Sequence, residues 1–85
     1  MSVTSRVVAG IRQSSHRSKT SKGEMMMFLT LEDLSGTLDC ILFPDVFKRV
    51  GNFIYTPEPI LVVGTIEMDQ ERMEPFLRVE RVQKI

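Results

Sequence analysis

Apolar residues recur at every second position in two neighbouring stretches of the chain, which is the pattern of β-strands that bury one face. The first stretch is predicted to form a strand over residues 25–33 and the second a strand over residues 37–43. Residues 33–36 between them suit a tight connection, because Gly36 can adopt a positive φ. The pattern therefore predicts a β-hairpin near the middle of the chain.

Three further strands are predicted around this hairpin. Residues 6–13 alternate in part, and Gly10 permits a sharp bend or bulge within them. Residues 60–68, interrupted by Gly64, and residues 76–82 form the fourth and fifth strands.

A short helix is predicted between the third and fourth strands. Pro44 ends the sheet, and Asp45 can cap the helix N-terminus. Apolar side chains follow at helical spacing, and we expect them to pack in the core: Val46, Phe47, Val50, Phe53 and Ile54.

Five strands with one short helix between the third and fourth follow the element order of the oligonucleotide/oligosaccharide-binding (OB) fold. We therefore predict a mainly β protein, a five-stranded Greek-key OB-fold barrel. The alternatives are an SH3-like barrel and a small open sheet, but neither calls for a helix at that position. Residues 1–85 make one domain, which we expect to be a piece of a larger polypeptide.

The composition excludes several classes of protein. With Cys40 as its single cysteine and His16 as its single histidine, the chain has neither an internal disulfide nor an obvious metal site, and no cofactor is expected. No apolar run approaches the roughly 20 residues of a membrane helix. The N-terminal residues lack the apolar core of a secretory signal, so we predict a cytoplasmic protein.

Catalysis by these residues alone is not expected. Cys40 lies between apolar neighbours in a strand and is predicted to be a core residue, while His16 falls in a predicted loop. Glu32 and Asp33 project to opposite faces of a strand and make a poor acid–base pair. The domain is therefore predicted not to be an enzyme by itself.

The charge of the chain is unevenly distributed, although its formal net charge is zero. Residues 1–23 contain five basic residues and no acidic one, whereas the remainder contains six basic and eleven acidic residues. Within the first part, residues 14–23 mix serine with basic side chains and are predicted to form a loop. This asymmetry indicates a polyanionic partner at the basic end.

Side-chain alternation divides the hairpin into a core face and an outer face. The sets that we expect to fill the barrel are Met25, Met27, Leu29 and Leu31 on the second strand and Leu38, Cys40 and Leu42 on the third. The outer face then carries Phe28 near Ile41 and Phe43, a surface on which nucleic-acid bases can stack. The alternatives are that Phe43 packs under the helix and that Phe28 is an ordinary strand residue.

Basic residues of the predicted loop supply the second half of a candidate binding site. They would flank the aromatic surface and contact phosphates, although an ordinary solvated loop has the same composition. Asp39 on the outer face opposes a polyanion, so we expect weak binding. The complete candidate set is Arg12, Arg17, Lys19, Lys22, Met26, Phe28, Thr30, Asp39, Ile41 and Phe43.

On these motifs the sequence resembles the OB-fold domain, of the tRNA anticodon-binding type, near the C-terminus of the bacterial DNA polymerase III alpha subunit. Residues 7–11 are similar to the family's VAGLV opening, and a basic segment follows them. Residues 25–47 read MMMFLTLEDLSGTLDCILFPDVF, which is similar to the family's MAFxTLEDxTGxxEVVVFPxxF. Residues 60–67 read ILVVGTIE, which is similar to the family's LLVxGxV strand. Class II aminoacyl-tRNA synthetases and error-prone polymerases share the hairpin core.

The resemblance implies a binding module, since the family's catalytic acids lie in a separate palm domain. It implies weak, sequence-independent binding of single-stranded template DNA, with possible contacts to other replisome subunits. Phe28, Thr30, Asp39 and Ile41 would line the binding face. Two alternatives stay open: a protein-interaction module of the replisome, and an RNA-binding module of the anticodon type. No membrane or small-molecule partner is expected.

Overall fold

The computed structural model describes residues 5–85, which form a closed barrel of five strands. The elements are β1 (Ser5–Lys19), β2 (Met25–Asp33), β3 (Gly36–Leu42), α1 (Pro44–Val50), a 3₁₀ helix (Gly51–Tyr55), β4 (Ile60–Asp69) and β5 (Glu74–Lys84). The order around the barrel is β1-β2-β3-β5-β4, with β3 and β5 parallel and the other pairs antiparallel. The predicted OB-fold barrel with its helix between β3 and β4 is confirmed. The residues before Ser5, on which the expectation about a secretory signal partly rests, lie outside the described range.

Strand β1 closes the barrel by pairing with two partners in succession. Its first part pairs with β4 as far as Gly10, and its second part pairs with β2 from Ile11 onward. A Cβ atom on Gly10 would lie 2.6 Å from the backbone oxygen of Glu32, so the crossing requires glycine. The register irregularity predicted near Gly10 occurs slightly later, between Arg12 and Ser14.

The prediction that residues 14–23 form a loop is wrong for most of that segment. Ser14 to Lys19 continue β1 and pair with residues 25–30 of β2. Only a short turn follows, closed by hydrogen bonds in which Thr20 N donates to Glu24 O and Gly23 N donates to Thr20 O. The segment is polar because this part of β1 is largely exposed, and its backbone groups are satisfied by β2 whatever the side chains are.

The barrel interior contains most of the side chains that alternation assigned to it. Met27, Leu29 and Leu31 of β2 are buried, and Leu38 of β3 is half-buried against the core. Met25 is half-buried but lines a groove beside α1 instead. The core is completed by Cys40, Leu42, Ile54, Ile60, Val62, Leu77 and Val79. The outer faces of β2 and β3 are thereby left free to contact a ligand.

The helical segment begins two residues earlier than predicted and ends differently. Phe43 is the N-cap and Pro44 is the first residue of α1, so Asp45 does not cap the helix. Asp45 lies in the first turn, where its negative charge interacts favourably with the helix dipole. The chain then tightens into the 3₁₀ helix, which buries Ile54 and leaves Phe53 37% exposed. The prediction that Phe53 is a core residue is wrong.

Strand β4 continues through Gly64, where the sequence predicted an interruption, but its pairing is irregular there. The register with β5 shifts between Val63 and Gly64, and a Cβ atom on Gly64 would lie only 2.2 Å from the backbone oxygen of Arg78. The bulge bends β4 so that the barrel can close. Neither helical segment of residues 5–85 has the length and apolar character needed to cross a bilayer.

Candidate nucleic-acid interface

A groove of about 440 Å³ crosses the outer face of the sheet. Its floor is formed by Phe28 and Thr30 of β2 and by Asp39 and Ile41 of β3, which are cross-strand partners in the register. We call this the sheet groove. It brings together four of the predicted site residues because all four have the same outward parity on adjacent strands.

His16 lines one side of the sheet groove and forms with Phe28 an aromatic pair that sequence reasoning missed. His16 of β1 lies opposite Phe28, with ring centroids 5.0 Å apart and ring planes 14° apart. The two rings form a stacked surface at the side of the groove. His16 was not included in the candidate binding site because its segment was predicted to be a loop, although residues 14–19 contain neither glycine nor proline to end the strand.

A polar pair lies next to the aromatic pair. The hydroxyl of Thr30 donates a hydrogen bond to Oδ1 of Asp39, with 3.3 Å between the oxygens. Among residues 5–85, no basic side chain forms an ion pair with Asp39. The groove floor thus presents an exposed carboxylate oriented by a neighbouring hydroxyl.

The opposite wall is the β4–β5 connection, and it is mostly acidic. Asp69, Glu71 and Glu74 line it together with one basic residue, Arg72. Oδ1 of Asp69 accepts hydrogen bonds from the backbone N–H groups of Glu71, at 2.9 Å, and of Arg72, at 3.3 Å, which holds the turn in shape. An acidic wall disfavours phosphates inside the groove and favours a polyanion that turns its bases inward.

Phe76 completes the groove at the start of β5. It is half-buried and lies opposite Glu67 of β4. This second phenylalanine was not singled out from the sequence because it was taken only as the first residue of a strand. With His16 and Phe28, it gives the groove three aromatic rings.

Two predicted site residues of the outer face do not line the sheet groove. The ring of Phe43 is covered by the guanidinium of Arg78, whose Cζ lies 4.5 Å from the ring centroid. Arg78 also forms an ion pair with Glu67, with 3.6 Å between Nη1 and Oε2. Met26 is half-buried opposite Ser18, further along the hairpin.

The structure directs Arg12 and Arg17 away from the sheet groove. Arg12 places its guanidinium over Tyr55, 5.8 Å from the ring centroid, and donates a hydrogen bond to the hydroxyl of Ser15 at 3.2 Å. Arg17 lies opposite the buried Met27 in the register. It lines a separate groove of about 410 Å³ beside α1, and Lys48 lines the same groove. We call this the helix-side groove.

Lys19 and Lys22 lie at the exposed end of the β1–β2 hairpin. Lys19 is the last residue of β1, and the backbone N–H of Lys22 donates to the Thr20 hydroxyl in the turn. Of the four basic residues predicted to contact phosphates, these two lysines are the ones exposed at the tip of the β1–β2 hairpin. Of the other two, Arg12 contacts Tyr55 and Ser15, and Arg17 lines the helix-side groove.

The groups that could take part in chemistry are unsuited to it in this arrangement. Burial in the core, with a smaller contribution from the charge of Asp39, raises the pKa of the Cys40 thiol to about 12. The thiolate needed for a nucleophile is thus negligible at neutral pH. No group of three or more potential metal ligands occurs within residues 5–85.

Comparison with known proteins agrees with this geometry. Residues 7–85 match the family model described as an OB-fold nucleic acid binding domain. The chain is 37% identical over 62 residues to an error-prone DNA polymerase of Symbiobacterium thermophilum, which covers 71% of this chain and 6% of the relative. It is 35% identical over 75 residues to the DNA polymerase III subunit alpha of Pseudomonas fluorescens, covering 88% of this chain and 6% of the relative.

A third relative is the DNA polymerase III subunit alpha of Pseudomonas aeruginosa, 31% identical over 78 residues, which are 92% of this chain and 7% of the relative. The chain therefore spans only a small fraction of the length of these relatives. The family match, by contrast, covers nearly all of the chain, and it agrees with the strand order and the position of the helix. The chain belongs to the family of OB-fold nucleic acid binding domains.

Proposed function

We propose that the sheet groove binds single-stranded DNA, and that the domain is part of a DNA polymerase III alpha subunit. The observation that carries the proposal is the stacked pair of His16 and Phe28 beside an open groove. Aromatic side chains on the outer strands of an OB fold offer a surface on which unpaired bases can stack. A duplex keeps its bases stacked on one another and cannot use such a surface.

The binding we expect is weak and has no defined target sequence. Stacking contributes about 1–3 kcal/mol per base and tolerates any base. The acidic wall and Asp39 oppose the phosphate backbone, so bases would enter the groove while phosphates stay outside, near Lys19 and Lys22. Affinity then depends on a few stacked bases and a few phosphate contacts.

The role in the parent protein follows from the names of the relatives. Since these are DNA polymerases and this chain matches only 6–7% of their length, we assign nucleotide transfer to the remainder of the parent protein. The groove would hold and position the template strand. We expect the parent protein in the cytoplasm, together with the other replisome subunits.

Fluorescence anisotropy of a labelled oligonucleotide tests the proposal. The domain is titrated into single-stranded DNA of about 15 nucleotides at about 20 and 150 mM salt, with matched duplex DNA and matched RNA alongside. We expect weak, salt-sensitive binding with a preference for single-stranded DNA. A preference for RNA would favour the anticodon-type alternative, because the 2′-hydroxyl can be read directly.

A second candidate function, contact with another replisome protein, is favoured by one specific observation. Val7 and Ile11 point outward from β1 and are 63% and 46% exposed. Leu61 and Val63 of β4 are half-buried beside them, opposite Ala9 and Val7 in the register. A saturable complex with a polymerase subunit that competitor DNA does not weaken, combined with no DNA binding at low salt, would support this function instead.

A further inference from the structure

We propose that Asp39 reads the edge of a base held in the sheet groove and favours bases that carry an exocyclic amino group over thymine. The inference rests on the proposed single-stranded DNA binding and adds a preference at one position. Stacking itself does not supply this preference, because every base has an aromatic face.

The position of Asp39 follows from the register of the hairpin. The Thr30–Asp39 pair lies next to the Phe28–Ile41 pair on the same face, two residues along each strand, or roughly 7 Å. A base stacked on the face of the Phe28 ring that His16 leaves free therefore extends over the neighbouring pair. The polar edge of such a base then lies close to the carboxylate of Asp39.

The hydrogen-bonding capacity of Asp39 decides which edge it accepts. An ionised carboxylate only accepts hydrogen bonds and offers about four lone-pair sites. Thr30 occupies one of them through Oδ1, and the described residues supply no ion-pair partner. The remaining sites suit an amino group such as N4 of cytosine, whereas thymine presents the O4 acceptor at the equivalent position. The single N3–H donor of thymine lies between its O2 and O4 acceptors, which a carboxylate repels.

Other polar groups near the groove floor are less selective. The hydroxyl of Ser14 can both donate and accept, and the imidazole of His16 carries at least one N–H donor. On the opposite wall, Oδ1 of Asp69 is engaged by two backbone N–H groups of its own turn. Glu71 and Glu74 are further acceptor-only groups on that wall, whereas Asp39 is the one on the groove floor, next to the Phe28–Ile41 pair. Asp39 therefore sets the preference for base donors at that position.

Parallel titrations with oligo-dC and oligo-dT of about 12 nucleotides test the inference. Both are pyrimidine tracts, and a mildly alkaline buffer keeps the cytosine tract unpaired. We expect the wild-type domain to bind oligo-dC about fivefold more tightly, the low end of the discrimination given by a polar base contact. Asp39→Asn should bind both oligonucleotides more tightly and bring their ratio close to one, because an amide both donates and accepts.

Glu58→Gln is the matched control. It removes one negative charge from an exposed residue between the 3₁₀ helix and β4 that lines neither groove. The ratio of the two affinities should stay at its wild-type value in this variant.

The failures of the two proposals can be told apart. Equal wild-type affinities, or a cytosine preference that persists in Asp39→Asn, would overturn the reading role and leave single-stranded DNA binding intact. No wild-type binding of either oligonucleotide at low salt would overturn the proposed function, and the reading role with it.

Discussion

Replacing Phe28 by leucine separates stacking from every other contribution to DNA binding. Leucine keeps an apolar side chain of similar volume at a half-buried strand position, so the hairpin should still form. The substitution removes one of two rings that lie 5.0 Å apart and 14° from parallel. No charge is changed.

The expected loss follows from stacking energetics. A stacked base contributes about 1–3 kcal/mol, which corresponds to roughly a 5- to 150-fold change in Kd. His16 and Phe76 remain in Phe28→Leu, so part of the stacking surface persists. We therefore expect a loss near the lower end, about tenfold.

The assay is anisotropy titration of single-stranded DNA over a series of salt concentrations. The slope of log affinity against log salt reports the phosphates neutralised, and Phe28→Leu should leave that slope unchanged while lowering affinity at every salt. Phe53→Leu is the matched control, since it makes the same substitution at an aromatic residue on the 3₁₀ helix that is 37% exposed and lies outside the sheet groove. It should bind DNA as the wild type does.

Two results would refute the stacking argument. One is a wild-type affinity in Phe28→Leu when its thermal unfolding is also normal. The other is an equal loss in Phe53→Leu, which would show that the effect does not arise in the sheet groove.

Three further predictions concern the barrel itself. Gly64→Ala should lower the free energy of unfolding by about 1–3 kcal/mol in urea titrations, because the new methyl would lie 2.2 Å from a backbone oxygen of Arg78 that can move only with β5; an unchanged midpoint would contradict this. The Cys40 thiol, with its pKa raised to about 12, should react with iodoacetamide only in denaturant, and rapid alkylation of the folded domain would contradict its burial. Hydrogen bonds from the hydroxyl and the backbone N–H of Ser35 lower the pKa of Asp33 below 3.8, so their stabilisation is present above that pH and is lost as pH falls through the lowered value. Ser35→Ala should therefore reduce Tm at neutral pH, with a difference that shrinks in acid; a difference independent of pH would contradict it.

Alternation predicted the fold because it reports burial directly. The alternation of Met27, Leu29 and Leu31 with outward residues predicted one buried face, and a barrel of this element order encloses that face. The groove floor followed from the same parity, since residues between buried ones must face outward. Phe28, Thr30, Asp39 and Ile41 thus came together without any contact being known in advance.

The extent of β1 could not be predicted in this way. Ser14 to Lys19 bury little, so hydrophobic periodicity carries no signal there, and their strand conformation depends on hydrogen bonds to β2. Both the position of His16 and the aromatic pair depend on that pairing.

The directions of the basic side chains depended on a register irregularity. The shift between Arg12 and Ser14 determines which residues of the second half of β1 face the sheet groove, and the sequence predicted it too early, near Gly10. Consequently His16 lies beside Phe28, and Arg17 faces the helix-side groove. Phe53 was misassigned because the chain adopts 3₁₀ geometry from Gly51 onward, which leaves that ring partly exposed.

Mapping the DNA contact by NMR tests the central claim most directly. Unlabelled single-stranded DNA is titrated into the ¹⁵N-labelled domain, and amide shift changes are followed residue by residue. The account predicts that the largest changes occur in the sheet groove, at His16, Phe28, Thr30 and Ile41. Changes concentrated instead around Lys48 and the helix-side groove, or no changes at low salt, would contradict it.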